Sequence, residues 1–131
     1  MAVTKSTSKS KQPLRSVPKG NLYITATFNN TLAAVTDTAG NVIAWSSTGK
    51  VGFTGSRKST PYAATKTIED VLEKANAYGL HEIKIYIKGP GPGRDAALRV
   101  LRGTPYRITM IADVTPLAHN GTRPRKKKHN R

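Results

Sequence analysis

A strand–helix–strand pattern in the second half of the chain constrains its fold more than any other feature. Ile83, Ile85 and Ile87 alternate with polar residues, which predicts a strand with one buried face. The stretch GPGPG follows, then a short helical pattern that ends near Gly103, and then a further predicted strand at residues 107–114. Strands joined through a helix in this way are parallel and cross over in the right-handed sense. The pattern therefore predicts a parallel strand–helix–strand unit.

The first half of the chain predicts an antiparallel meander and a longer helix. The three predicted strands cover residues 22–28, 31–37 and 42–47. In the first of these strands Phe28 is the last of the alternating apolar residues. Thr60 and Pro61 predict the N-cap and first residue of a helix with one apolar stripe. The element order β-β-β-α-β-α-β predicts an α/β fold, with helices packed on a mixed five-stranded sheet.

Basic residues are concentrated at the two ends of the 131-residue chain, whose net charge is +15. Residues 1–20 carry five bases and no acid, residues 121–131 carry six and no acid, and the hundred residues between them carry 11 bases and seven acids. We therefore expect a basic N-terminal arm (1–20), one α/β domain (21–118) and a basic C-terminal tail (119–131). Arms of this composition are typical of segments that become ordered on nucleic acid.

Several other classes of protein fit the sequence poorly. No apolar segment follows the basic N-terminus, and no apolar run reaches the length of a membrane span, so we expect a soluble intracellular protein. Three of the seven acids, Glu69, Asp70 and Glu73, lie on the longer predicted helix, where solvent-facing charges are the default, and the three histidines are scattered. We therefore expect no metal site, no cofactor and no catalytic site. Charge alone leaves a DNA-coating protein open as an alternative.

The GPGPG stretch raises the alternative of a nucleotide-binding enzyme, since glycines between a strand and a helix often hold phosphates. The spacing does not match G-x-G-x-x-G, and Pro90 and Pro92 lack the amide N–H that a pyrophosphate requires. Asp95 would also place a carboxylate beside a bound phosphate. We predict instead a stiff, thin loop that lies against a nucleic-acid backbone, with Lys88 and Arg94 at its rim. A rigid connector without a partner is the alternative.

A second candidate site is the glycine-rich basic segment at residues 48–60. Its hydroxyls and cations precede a predicted helix N-terminus, a combination that suits phosphate oxygens. Phe53 and Tyr62 are candidates for stacking on an unpaired base, or for packing within the protein.

The full set of predicted RNA-binding residues is Lys11, Arg15, Lys19, Asn29, Asn30, Lys50, Gly52, Gly55, Ser56, Arg57, Lys58, Ser59, Thr60, Lys88, Gly89, Gly91, Gly93, Arg94, His119, Asn120, Gly121, Arg123, Arg125, Lys126, Lys127 and Lys128.

Seven motifs occur in an order that is known from one protein family. They are FNNT (28–31), GFTGSRKSTPYAA (52–64), KGPGPGR (88–94), RIT (107–109), DVTP (113–116), HNG (119–121) and RPRKKK (123–128). Over about residues 20–128 the chain resembles bacterial members of the universal S-eleven family of small-subunit ribosomal proteins.

The resemblance implies a ribonuclease H-like topology without catalytic carboxylates, and a structural role in the cytoplasmic small ribosomal subunit. It implies binding to 16S rRNA on the platform, where such proteins bridge rRNA helices and help form the Shine–Dalgarno cleft. Implied neighbours are the seventh and eighteenth small-subunit proteins, with initiation factor three and the Shine–Dalgarno region of mRNA nearby. Asn120, which precedes Gly121, is implied as a possible site of isoaspartate.

Overall fold

A computed structural model describes residues 16–126, apart from the side chains of Ser56 and Ser59. Its elements are β1 (Lys19–Ala26), β2 (Thr31–Asp37), β3 (Val42–Ser47), a 3₁₀ turn (Gly55–Ser59), α1 (Pro61–Asn76), β4 (Glu82–Lys88), α2 (Gly93–Arg102) and β5 (Arg107–Asp113). The predicted α/β class and the predicted order of strands and helices are confirmed.

The five strands form one mixed sheet in the order β3-β2-β1-β4-β5. The β1–β2 and β2–β3 pairs are antiparallel, whereas β4 is parallel to both β1 and β5. Four strands therefore end at the edge where β2 begins. We call it the upper edge, marked by Ala26, Thr31, Ser47, Lys88 and Asp113. The lower edge is the opposite end of the sheet.

Both helices cover one face of the sheet. The two crossovers, β3–α1–β4 and β4–α2–β5, run in the same direction across the sheet, so the right-handed rule places α1 and α2 on the same side. The core between the helices and the sheet includes Leu22, Ile24, Val35, Ile68, Val71, Ile83, Ile85 and Leu101. Each fully buried aliphatic side chain of this kind stabilises the fold by about 1.5–3 kcal/mol. We call the other side of the sheet the open face.

Helix α1 begins as its sequence predicts. The Thr60 side chain accepts a hydrogen bond from the Ala63 amide at 3.2 Å, and Pro61 occupies the first helical position. Pro at this position loses no helical hydrogen bond, because the first amides of a helix have no partner within it. The predicted apolar stripe, which includes Ile68 and Val71, is buried.

The first strand lies earlier in the chain than predicted. It covers Lys19–Ala26, so Phe28 is not a strand residue and is 70% exposed. The Thr27 hydroxyl accepts hydrogen bonds from the amides of Asn29 and Asn30, which turns the chain before Phe28 can continue the strand. The alternation that predicted the strand thus extends by chance into a turn.

The α/β fold includes residues that the sequence assigned to the N-terminal arm. Val17 is buried, and its amide donates to the Tyr78 carbonyl at 2.8 Å. Gly20 in β1 pairs with Asp37 in β2, and a Cβ atom on Gly20 would lie 2.7 Å from the Thr36 carbonyl oxygen. Since neither Lys19 nor Gly20 fits a hydrophobic alternation, no periodic pattern marks the start of this strand.

Candidate nucleic-acid interface

Three loops that are distant in sequence meet at the upper edge. They are the turn at residues 27–30, the basic loop at residues 48–60 and the proline–glycine loop at residues 88–94. The Thr48 hydroxyl donates to the Asn30 side-chain oxygen, and the Gly91 amide donates to the Ala26 carbonyl at 2.9 Å. Both α1 and α2 also begin at this edge, so their positive N-terminal ends add to its potential.

The proline–glycine loop is packed tightly on its own protein. Gly89, Gly91 and Gly93 are buried, whereas Pro90 and Pro92 between them are exposed. A Cβ atom on any of the three glycines would lie under 3.0 Å from the chain at residues 26–31. The surface that closely approaches these glycines is the protein's own chain, at the start of the 27–30 turn and of β2. The RNA contacts predicted at Gly89, Gly91 and Gly93 stay predictions.

The same packing removes the amide donors that a nucleotide would need. The Gly89 amide donates to the Thr115 hydroxyl at 3.0 Å, and the Gly91 amide donates to Ala26. Pro90 and Pro92 have no amide hydrogen. Residues 89–92 therefore have no amide hydrogen left to donate to a phosphate, which argues against a phosphate cradle there.

Arg94 clamps this loop to the end of β5. Its guanidinium donates to the Gly89 carbonyl at 2.9 Å and to an Asp113 carboxylate oxygen at 3.1 Å. The other Asp113 oxygen accepts the Thr115 hydroxyl at 2.6 Å and the Thr115 amide at 3.0 Å. The bonds from Thr115, followed by the one from Arg94, lower the pKa of Asp113 from 3.8 to about 2. Arg94 was predicted to meet phosphates, and its visible role is to hold the loop; a phosphate contact stays a prediction.

The basic loop has the opposite character. Gly52 and Gly55 have φ angles of +102° and +56°, and a Cβ atom would meet open space at both. Arg57 is exposed and Lys58 is half-buried in the 3₁₀ turn that leads into α1. Thr60, also a predicted RNA contact, uses its hydroxyl to donate to the Arg57 carbonyl at 2.8 Å and to cap α1.

Lys50 extends the basic loop to the β3 side of the sheet. Its ammonium lies 3.9 Å from the centroid of the Trp45 ring, within the range of a cation–π contact. The neighbouring Lys74 ammonium lowers the pKa of Lys50, while Asp70 forms an ion pair with Lys74 at 3.0 Å. With two cations and one carboxylate, this group of side chains carries a net positive charge.

Aromatic side chains occupy the same edge. Phe53 and Tyr62 are candidates for base stacking by sequence, and the structure packs them edge to face on each other, with centroids 5.8 Å apart. Sequence reasoning missed Phe28, which is exposed at the tip of the 27–30 turn. The turn-forming pair Asn29-Asn30 was the available signal, since a residue directly before it is well placed to leave the sheet.

The remaining predicted site residues divide into three groups. Asn29, Lys88 and residues 119–121, 123, 125 and 126 are exposed on the upper side or in the tail that leaves β5 there. Lys19 lies at the lower edge, opposite Glu82, and so is not brought together with the others. Lys11, Arg15, Lys127, Lys128 and the side chains of Ser56 and Ser59 lie outside the described part of the structure.

Within residues 16–126 no three histidine or acidic side chains come together as metal ligands, and no helix is long and apolar enough to cross a membrane. Asp95, in the first turn of α2, and Asp113, which is paired with Arg94, lie beside the proline–glycine loop, and Asp70 interacts with Lys50 of the basic loop. The fold and its upper edge therefore define a small basic α/β protein whose loops, tail and helix N-termini suit a polyanion.

Comparison with known proteins identifies the group within that class. The chain belongs to the ribosomal protein S11 family, whose model matches residues 20–129. It is 50% identical over 119 residues to small ribosomal subunit protein uS11 of a Sulfurovum species, covering 90% of this chain and 96% of that protein. The uS11 protein of Campylobacter curvus is 50% identical, covering 92% of this chain and 93% of that protein. The uS11 protein of Alteromonas mediterranea is 48% identical, covering 98% of each chain. The predicted resemblance is confirmed, and the protein is a structural ribosomal protein rather than an enzyme.

Proposed function

We propose that this protein binds 16S rRNA on the platform of the cytoplasmic small ribosomal subunit, bridges separate rRNA helices and helps form the Shine–Dalgarno cleft. Its neighbours there are the seventh and eighteenth small-subunit proteins, with initiation factor three and the Shine–Dalgarno region of mRNA close by. The proposal includes a ribonuclease H-like topology and basic arms at both ends that order on the RNA. It rests on the family and on one observation about the molecule.

That observation is the distribution of the basic groups over opposite ends of the sheet. The basic loop and the rim of the proline–glycine loop lie at the upper edge, where the tail also leaves β5, whereas Lys19 lies at the lower edge. One rigid body that presents cations at both ends suits contacts with two RNA segments. Since most of these groups are lysines and arginines on loops, recognition rests on phosphates and shape rather than on base edges.

The test compares the full-length protein with a variant that lacks residues 121–131. Binding to a platform fragment of 16S rRNA and to random duplex DNA is measured over a range of salt concentrations. We expect tighter binding to the rRNA fragment. The salt slope is the slope of the logarithm of affinity against the logarithm of salt concentration. In the truncated protein we expect its magnitude to be smaller by roughly 0.7–0.9 for each phosphate that the tail neutralises in the full-length protein.

Two results would contradict the proposal. Equal affinity for the rRNA fragment and for random DNA would favour a DNA-coating protein. An unchanged salt slope in the truncated protein would remove the tail from the interface. Circular dichroism of the truncated protein, which keeps every strand and helix described above, provides the control for folding.

A further inference from the structure

The open face of the sheet carries one continuous cross-strand row. Strand register aligns Trp45, Ala34, Tyr23, Tyr86 and Ala112 across all five strands. The rings of Tyr23 and Tyr86 stack with centroids 5.0 Å apart and planes 12° from parallel. Trp45 is 54% exposed and Tyr23 is 40% exposed. Large aromatic rings are therefore displayed in a row on a surface that neither helix covers.

Two recesses adjoin the tyrosine pair. One recess of about 420 Å³ is lined by Tyr86 together with Asn21, Lys84 and Thr109. The other, of about 220 Å³, is lined by Tyr23 with Leu32, Ala34 and Trp45. Because the two rings stack on each other with one face each, a planar group that reached the outer face of either ring would extend the existing stack.

The charges around this row are mostly positive. By the alternation of the strands, the open face carries Lys19, Lys84, Lys88 and Arg107. The same alternation places one acid of the described strands on the open face. It is Glu82 at the lower edge, whose carboxylate lies 3.7 Å from the Arg107 guanidinium. Rings that stack, flanked by lysines, match a ligand that combines flat bases with phosphates.

We propose that the open face binds an unpaired stretch of RNA, with bases stacked on the outer faces of Tyr23 and Tyr86 and with phosphates near Lys84 and Lys88. The proposal rests on the proposed function, in that the partner is RNA, and it adds a second surface that is separate from the upper edge. A duplex does not suit the site, because its base faces are hidden within the stack. An acidic protein segment is the competing occupant, and the test distinguishes it.

The experiment uses the full chain and a fluorescein-labelled mixed-sequence RNA of about ten nucleotides, single-stranded or annealed to its complement. Trp45 is the only tryptophan, so its fluorescence reports on this face directly. We expect quenching by the single strand and not by the duplex. The Tyr86→Leu variant should bind the single strand about ten-fold more weakly, as expected when one stacked base is removed. The matched variant Tyr86→Phe keeps the ring and should change affinity by less than about two-fold.

Ultraviolet cross-linking of the unmodified protein provides a readout that does not depend on the folding of any variant. Adducts on Tyr23, Trp45 or Tyr86, located by mass spectrometry, would support the proposal. Adducts confined to the upper-edge loops, with unchanged affinity in Tyr86→Leu, would overturn it and leave the proposed function standing. Failure to bind the platform fragment at all would instead overturn the proposed function. If Tyr86→Leu bound RNA normally but no longer associated with another small-subunit protein, the open face would be a protein-docking surface and the proposal would be wrong.

Discussion

The two glycine-rich loops at the upper edge look alike in sequence and have different physical reasons for their glycines. In the proline–glycine loop the protein's own backbone occupies the space that a side chain would need. In the basic loop that space is open, and Gly52 and Gly55 are required by their positive φ angles instead. One loop is fixed by packing, and the other is a turn that faces solvent.

This difference assigns different roles to the two loops. A loop that is packed, hydrogen-bonded and clamped by Arg94 can define the position of its exposed rim, including Lys88, without an ordering cost when RNA binds. The basic loop, whose cations are more exposed, is the better candidate for direct phosphate contacts. Glycine content alone would have assigned both loops the same role.

The largest expected effect is on the packing of the proline–glycine loop. Changing Gly91→Ala would force a methyl group into the Thr27 carbonyl, so we expect it to lower the free energy of unfolding by about 3 kcal/mol, at the upper end of overpacking costs. Urea denaturation of the full chain measures this change. Gly49→Ala is the matched control, since the nearest atom to its added Cβ is 3.9 Å away, and its stability should stay within about 0.5 kcal/mol of the original. Equal effects of the two changes would remove the distinction between the loops.

The next effect separates an arginine in each loop. Arg94→Ala removes the hydrogen bond to the Gly89 carbonyl and should destabilise the fold by about 1 kcal/mol. Arg57→Ala removes an exposed cation, so it should leave stability unchanged while lowering the salt slope of RNA binding by about one. Thermal unfolding and salt-dependent RNA binding of both variants provide the comparison. The reverse result, with Arg57 stabilising the fold and Arg94 affecting only the salt slope, would exchange the two roles.

Most of the fold could be predicted from the sequence, because it depends on local periodicity. The strands at residues 31–37 and 42–47 and the Thr60 cap agree with the prediction, since alternation and capping involve neighbours in the chain. The errors occurred at the two ends of β1, at one end because of a local turn and at the other because of distant strands. Phe28 continues an alternation that the Thr27 turn ends, and Gly20 belongs to a strand only because β2 and β4 lie on either side of it.

The upper edge could be predicted only as a set of separate residues. The motifs KGPGPGR and DVTP, which are far apart in the sequence, form one unit in which Gly89, Arg94, Asp113 and Thr115 are hydrogen-bonded to one another. No spacing rule connects residues 19–26 positions apart in the absence of the fold. The open face was missed for a similar reason, because Tyr23, Tyr86 and Trp45 become neighbours only through strand register.

A pH titration tests the clamp of the proline–glycine loop. The pKa of Asp113 is depressed to about 2 in the folded state, so its interactions contribute stability above about pH 4 and lose that contribution as the pH falls from about 4 to about 2. Asp113→Asn should therefore be less stable than the original protein near neutral pH, and the difference should shrink over that range. Carboxyl NMR shifts give the pKa directly. In Thr115→Val, which lacks the largest contributing hydrogen bond, this pKa should rise; an ordinary value near 3.8 in the unmodified protein would refute the clamp.

The smallest expected effect concerns a third reason for glycine, at the start of the tail. Asn120 is exposed with a φ angle of +59°, and Gly121 follows it without a side chain to hinder attack of its amide nitrogen on the Asn120 side chain. We expect slow isoaspartate formation at Asn120 on storage at neutral pH, detected by peptide mass mapping with an isoaspartyl-specific assay. Gly121→Ala should slow the reaction, because the added methyl group hinders the attack. It should leave the fold unchanged, since the added Cβ would make only an ordinary contact with Ala118 at 3.8 Å. Because the site lies outside every strand and helix, isoaspartate there should leave the unfolding midpoint unchanged. A map that shows only unmodified asparagine after prolonged storage would count against the modification, and a shifted midpoint would show that the tail packs on the domain.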